Sequence, residues 1–297
     1  MNKLYRGRFA PSPTGPLHFG SLIAAVGSYV QAKSQNGEWL VRMEDLDPPR
    51  ESPGAADDIL RTLEAYHLNW DGKVLYQSQR HDAYEEALSL LSEVGHTFPC
   101  SCTRKLIATA NRNTGQDIYP GTCRNGLAPG AKARSTRVKV ASETVNFLDG
   151  LQGTQEIQLD SDVGDYVVKR ADGLFAYHLA VVVDDAFQEI SEIVRGTDLL
   201  DSTPHHLYLQ KLLNYQTPGY VHLPVAVNAQ GEKLSKQTHA RAVDPAQPDQ
   251  MLEKALIFLG HKPDPDVINA DPETLLNWAI DNWSLERIPK QMTINFL

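Results

Sequence analysis

The chain has 297 residues, 41% of them apolar and 22% charged, with a formal net charge of −9. That length buries a substantial core and suits one or two domains of an ordinary soluble globular protein. No apolar run approaches a membrane span, the start MNKLYRGRFAPSP has no apolar signal region, and the acidic balance argues against a general nucleic-acid binder, so the cytoplasm is the expected compartment.

In chain order, residues 4–9 read as a short strand that stops at the breakers Pro11, Pro13 and Gly15. Leu17, Leu22, Ile23, Val26 and Val30 then recur at near-helical spacing, which predicts a helix starting near Leu17 or His18. The free N–H groups at such a helix start favour phosphate. Gly15 and Gly20 let a nucleotide come close to the backbone, and His18 can donate to a phosphate oxygen. Residues 39–43 read as a buried strand, and residues 55–66 and 82–94 as amphipathic helices. This alternation predicts an α/β fold: a Rossmann-like, doubly wound parallel sheet with helices on both faces. Ligands in such sheets sit at the carboxyl ends of the strands, near the switch point.

Residues 100–175 break the rhythm, with short strand-like runs at 137–140 and 166–169. This is the expected insertion between two halves of the catalytic domain, 1–99 and 176–240. All three cysteines fall within it, at Cys100, Cys102 and Cys123. An odd number in a cytosolic chain argues against disulfides. The spacing suits a structural zinc, which wants four ligands. Spacing alone leaves open three unrelated thiols, and water or His96 as a fourth ligand. Without a metal, few apolar residues would hold this stretch. It is also locally basic: Arg104, Lys105, Arg112, Arg124, Lys132, Arg134, Arg137 and Lys139 face only Asp117. Composition alone leaves this either a solvated basic loop or a local nucleic-acid footprint.

The α/β rhythm returns at residues 177–186, 190–194, 205–213 and 221–227. Lys233-Leu234-Ser235-Lys236 follows, a loop with two lysines three apart. They are point charges suited to the β- and γ-phosphates of ATP. A Pro/Gly turn alone is usually only a turn, and a lone KLSK is a weaker signal still. Together, in this order, they suit a site that holds ATP and expels pyrophosphate. After Gln237 only 60 residues remain. Residues 250–259 and 272–280 read as helices, so 241–297 is expected to be a short helical region, too small for a second domain of usual size.

His18-Phe19-Gly20-Ser21 resembles the HIGH motif of class I aminoacyl-tRNA synthetases, and Lys233-Leu234-Ser235-Lys236-Gln237 resembles their KMSKS loop. RFAPSPTGPLH, from Arg8, is similar to the glutamyl branch in particular. So are Arg42-Met43-Glu44-Asp45-Leu46-Asp47-Pro48-Pro49-Arg50, Ser78-Gln79-Arg80-His81 and Val194-Arg195-Gly196-Thr197-Asp198-Leu199-Leu200. The short C-terminal part, the EDLDPPR spelling and the cysteine pattern resemble a shortened paralogue group of that branch. That group activates glutamate and attaches it to the queuosine base at the wobble position of tRNA(Asp). The departures (Phe19, Ser21, Leu234 and Gln237) leave His18, Lys233 and Lys236 in place.

The resemblance implies His18, Lys233 and Lys236 as catalytic groups, with Gly15, His18, Gly20 and Lys236 on ATP and Mg²⁺ arriving with the nucleotide. It maps L-glutamate contacts onto Arg8, Ala10, Ser12, Glu44, Tyr177 and Arg195. Glu44 would face the α-ammonium, and Arg8 is the first candidate for the γ-carboxylate, since arginine pairs bidentately with carboxylates. It also implies one structural zinc per chain on Cys100, Cys102, Cys123 and Tyr119. The implied partner is the anticodon arm of queuosine-bearing tRNA(Asp), met by a monomer. Two alternatives stand beside it: a short glutamyl-tRNA synthetase that charges the acceptor end, and a noncatalytic RNA-binding paralogue.

Overall fold

The computed structural model describes residues 4–111, 118–234 and 241–296. The chain opens with β1 (Arg6–Phe9), α1 (Phe19–Ser34), β2 (Glu38–Met43), α2 (Ala55–Ala65), β3 (Leu75–Tyr76), α3 (His81–Glu93) and β4 (Thr97–Cys100). Then come α4 (Arg104–Asn111), β5 (Ser135–Val138), β6 (Thr144–Asp149), β7 (Gly153–Gln158) and β8 (Val167–Lys169). The regular alternation resumes with α5 (Tyr177–Phe187), β9 (Glu192–Gly196), α6 (Thr203–Leu212), β10 (Gly219–Leu223) and β11 (Val225–Val227). The last described elements are α7 (Pro248–Phe258), α8 (Pro272–Asp281) and β12 (Thr293–Asn295).

Parallel pairing links β3, β2 and β1 on one side, and β9 and β10 on the other. The two halves meet where Ser191 N donates to Arg6 O at 2.9 Å and Arg6 N donates to Ser191 Oγ at 2.8 Å. The order is therefore β3-β2-β1-β9-β10, with the switch point between β1 and β9. A crevice opens there, outside the carboxyl ends of the strands.

α1 lies under this sheet and is buried almost all round. Leu22, Ile23, Ala25, Val26 and Val30 are each at most 2% exposed. It seats on β10 at Gly27, where a Cβ would fall 2.5 Å from Leu223 Cδ1. α7, α8 and the segment after β12 cover its other flank. Phe19 stacks on Phe296 at 3.8 Å and meets Phe258 edge-on at 5.9 Å. A second core, with Leu88, Leu91, Val138, Val168, Leu179 and Leu209, joins α3, α5 and α6 to the small antiparallel sheet β4-β5-β8.

Several local features differ from the sequence reading. Residues 221–227 are not one strand, because Pro224 divides them. β10 stays in the main sheet while β11 pairs with β12, Val225 opposite Thr293. The region after Gln237 thus contains a strand as well as helices. Part of the basic stretch is the helix α4. Residues 144–158 form the antiparallel hairpin β6–β7, and β6 extends the main sheet beside β10. Among the described residues no helix is long and apolar enough to cross a membrane.

Candidate active site and metal centre

A cleft of about 320 Å³ opens at the switch point. β1 and the turn after it supply Arg8, Ala10 and Ser12, and β9 supplies Arg195. Glu44 follows β2 and Tyr177 begins α5, and both line the same space. His18, Gly20 and Lys233 complete it. The turn is pinned rather than loose: Glu44 N donates to Pro11 O at 2.9 Å and Ser52 N to Pro13 O at 3.0 Å. Gly15 adopts φ 144° in this turn, which favours glycine, but it does not line the cleft. Lys236 lies outside the described residues.

The two short motifs meet through backbone. His18 caps α1, its Nδ1 accepting from Ser21 N at 3.3 Å and its Nε2 lying 3.1 Å from Ser21 Oγ. A Cβ on Gly20 would stand 3.0 Å from Leu234 O, so a larger residue here would push the lysine loop back by a few tenths of an ångström. Leu234 N is tied to Ala226 O at 2.9 Å, and Val243 N to Leu17 O at 2.9 Å. The loop is thereby anchored on both sides of the residues that are not described. Lys233 Nζ pairs with Asp198, which stands three residues after Arg195.

Two buried arginines face the cleft in different electrostatic states. Arg8 Nε donates to Asp185 Oδ1 at 3.0 Å and Nη2 to Oδ2 at 3.4 Å. Asp185 also accepts from Arg42 Nη1 at 2.8 Å. Burial raises the Asp185 carboxyl, but Arg42 and Arg8 outweigh it and hold it below the usual range. Arg195 is equally buried but is held by neutral groups: His222 Nε2 at 3.0 Å, Thr203 Oγ1 at 2.8 Å, Leu199 O at 3.1 Å and His206 Nδ1 at 3.3 Å. Glu44 lies 3.5 Å from Arg42 Nη2, and burial pushes its carboxyl up to about 7 against the pull of Arg42 and Arg8. Such a carboxyl ionises readily when a cation docks beside it. Burial pushes the Tyr177 phenol up to about 12, so it stays neutral.

The cysteines converge. The sulfurs of Cys100, Cys102 and Cys123 all lie within 4.8 Å of one another, with Cys102 and Cys123 at 3.6 Å. Tyr119 Oη is 3.3 Å from the Cys100 sulfur and 3.6 Å from that of Cys102. Zinc–sulfur bonds of about 2.3 Å in a tetrahedron put sulfurs about 3.8 Å apart, so this donor set fits the ion. Among the described residues no histidine joins the group, which sets His96 aside as the fourth ligand. Bound there, zinc would fix the fold of a stretch with few apolar contacts of its own.

The basic stretch is less uniform than its composition. Arg137 is buried, with its guanidinium 4.0 Å from the Tyr119 ring centre, and Arg124 pairs with Asp165. Both brace the cysteine loop. Arg104, Lys105, Lys132 and Arg134 remain exposed, while Arg112 lies outside the described residues.

A model of class I tRNA synthetases (E and Q), catalytic domain, matches residues 5–257. The chain belongs to that class I family. The match spans both motifs and every residue that lines the cleft. Within the family, the chain is 54% identical over 297 residues to the glutamyl-Q tRNA(Asp) synthetase of Dechloromonas aromatica, with 99% of each covered. It is 55% identical over 289 residues to the protein of the same name from Chromobacterium violaceum, covering 97% of this chain and 96% of that one. Among solved structures, a glutamate tRNA ligase from Elizabethkingia meningosepticum in complex with its amino acid aligns with a TM-score of 0.80. Identity there is 23%, over 97% of this chain and 66% of the other, and the likeness is one of fold. The chain is thus a ligase of the class I synthetase type.

The residues that sequence reasoning missed are those behind the cleft. Asp185 left one signal, a pair of adjacent acids in the otherwise apolar helix α5. Asp149, His222 and His206 left none, because they are brought together only by the sheet.

Proposed function

We propose that this chain joins ATP and L-glutamate into glutamyl-adenylate, and then transfers glutamate to queuosine at the wobble position of tRNA(Asp). The observation that carries this reading is near-full-length identity above 50% to relatives named glutamyl-Q tRNA(Asp) synthetase. A cleft lined by two arginines and a tunable carboxyl supports it. The α-ammonium of glutamate meets Glu44. The γ-carboxylate meets Arg195 and Arg8, of which Arg195 brings the uncancelled charge. A carboxylate oxygen of the α-group attacks the α-phosphorus. The bond to the β-phosphate oxygen breaks and pyrophosphate leaves. No side chain serves as nucleophile, so the residues act through proximity and charge. His18, Lys233 and Lys236 stabilise the phosphate charge that grows in that step, and Mg²⁺ on the nucleotide shares it. In the second step a hydroxyl of queuosine attacks the glutamyl carbonyl and AMP leaves. The zinc set of Cys100, Cys102, Tyr119 and Cys123 holds the loop that carries Arg104, Lys132 and Arg134 towards the anticodon arm.

The test uses labelled glutamate with tRNA(Asp) prepared with and without queuosine, followed by nuclease mapping. Label on the anticodon fragment of queuosine-bearing tRNA alone is expected. Label on the acceptor end, whatever the wobble base, would replace this reading with a short glutamyl-tRNA synthetase.

A further inference from the structure

The geometry points to Asp149 and His222 as positioning residues for Arg195: they hold its guanidinium in the cleft through a neutral imidazole, so that its charge stays available to a substrate carboxylate and favours that acid over its amide. This rests on the glutamate reading above.

A guanidinium buried this deeply must have its N–H groups accepted, or the fold carries a large desolvation penalty. A carboxylate is the usual acceptor, and Arg8 has one in Asp185. A carboxylate on Arg195 would satisfy its hydrogen bonds but cancel the charge that a substrate needs. Among the described residues no carboxylate pairs with Arg195. Its Nε and both protons of Nη2 go to His222, Thr203 and Leu199, and one Nη1 proton goes to His206. A guanidinium has five N–H donors, so one Nη1 proton is left for a ligand.

The arrangement needs a particular tautomer. His222 accepts from Arg195 Nε only if its Nε2 is bare, with the proton on Nδ1. Nδ1 lies 2.6 Å from Asp149 Oδ2, which takes that proton's hydrogen bond. Asp149 is itself fixed by three backbone N–H groups, those of Leu151 at 3.0 Å, Gln152 at 2.8 Å and His222 at 3.2 Å. Burial keeps His222 neutral despite Asp149, with Arg195 adding to the effect. Asp149 ends β6, and this gives the β6–β7 hairpin a reason to reach the main sheet. It brings a negative charge to one imidazole's length from Arg195 and no closer.

The test compares Asp149→Asn, His222→Ala and His222→Gln in glutamate-dependent ATP–pyrophosphate exchange. Losing a hydrogen bond to a charged group should raise KM for glutamate roughly 10- to 100-fold in the Asn and Ala variants, with KM for ATP within about twofold. Glutamine, tested as a competitor, should lose little, so discrimination between acid and amide falls. His222→Gln should retain most of the affinity, because its amide accepts from Arg195 and donates to Asp149. Unchanged glutamate KM in the Asn and Ala variants would overturn the proposal. So would parallel losses for glutamate, glutamine and ATP, with His222→Gln no better than His222→Ala. Should these variants fail to fold, nitrogen-15 NMR of histidine-labelled wild-type protein decides: His222 must be the neutral Nδ1–H tautomer near neutral pH, and an Nε2–H or doubly protonated ring refutes the relay. If the wild type shows no glutamate-dependent exchange at all, the glutamate reading fails instead, and the NMR result still stands as a test of the relay.

Discussion

Replacing Glu44 by Gln should stabilise the fold at alkaline pH and at the same time impair glutamate binding. Burial lifts this carboxyl from an ordinary 4.5 to about 7. A raised value means that the folded state prefers the protonated side chain. The preference is fully expressed below the unfolded value and is lost as pH rises through the folded one. Each unit of separation is worth about 1.4 kcal/mol, so carrying the carboxylate costs the fold about 3 kcal/mol by pH 8. Glutamine has nearly the shape of the protonated acid and never ionises. The Glu44→Gln variant should therefore exceed wild type by about 3 kcal/mol at pH 8, with the gap closing by about pH 4. Urea unfolding across that range measures it. Binding runs the other way, since the ammonium of glutamate needs the carboxylate. Wild-type KM for glutamate should fall about tenfold between pH 6 and pH 8 as Glu44 ionises, and the variant should show a higher, pH-independent KM. A variant less stable than wild type at pH 8 would show instead that the neighbouring arginines outweigh burial at Glu44.

Three further outcomes are expected. Lys236→Ala should cut pyrophosphate exchange sharply while leaving glutamate binding intact, since phosphate charge builds only as pyrophosphate leaves; exchange at the wild-type rate would remove its assigned role. Gly20→Ala pushes a methyl against Leu234 O and the His18 ring, so exchange should fall roughly tenfold or more as the lysine loop shifts, with little change in thermal stability. Freshly purified protein should hold about one zinc, weakened by Cys123→Ser; metal analysis without zinc contradicts the site, and unchanged zinc affinity in Tyr119→Phe would replace the phenol by water.

What was legible in the sequence is what lies close together along the chain. The Pro/Gly turn, the cap at His18 and the apolar spacing of α1 are local, so they mark the switch-point motif directly. Lys233 is legible because its loop is short and its companion stands three residues away. Arg195 and Tyr177 carry no local signal of their own, and only the family resemblance picks them out. The support behind them is invisible for a physical reason. Asp149, Arg195 and His222 sit on three different strands, and parallel pairing through long crossovers is what makes them neighbours. The hairpin β6–β7 is hidden because its strand pattern breaks at the end of β6: Val145 and Phe147 alternate as expected, but the apolar Leu148 is exposed and the acidic Asp149 is buried. Arg137 counts as surface charge in the sequence, because composition cannot reveal that the Tyr119 ring covers it.

The most direct measurement offers a minimal anticodon stem-loop of tRNA(Asp), with queuosine or with guanine at the wobble position, together with ATP and labelled glutamate. The products are resolved by mass. One added glutamyl group is expected on the queuosine-bearing stem-loop and none on its guanine counterpart. Glutamylation confined to full-length tRNA with an intact acceptor end, and indifferent to the wobble base, would contradict transfer to queuosine.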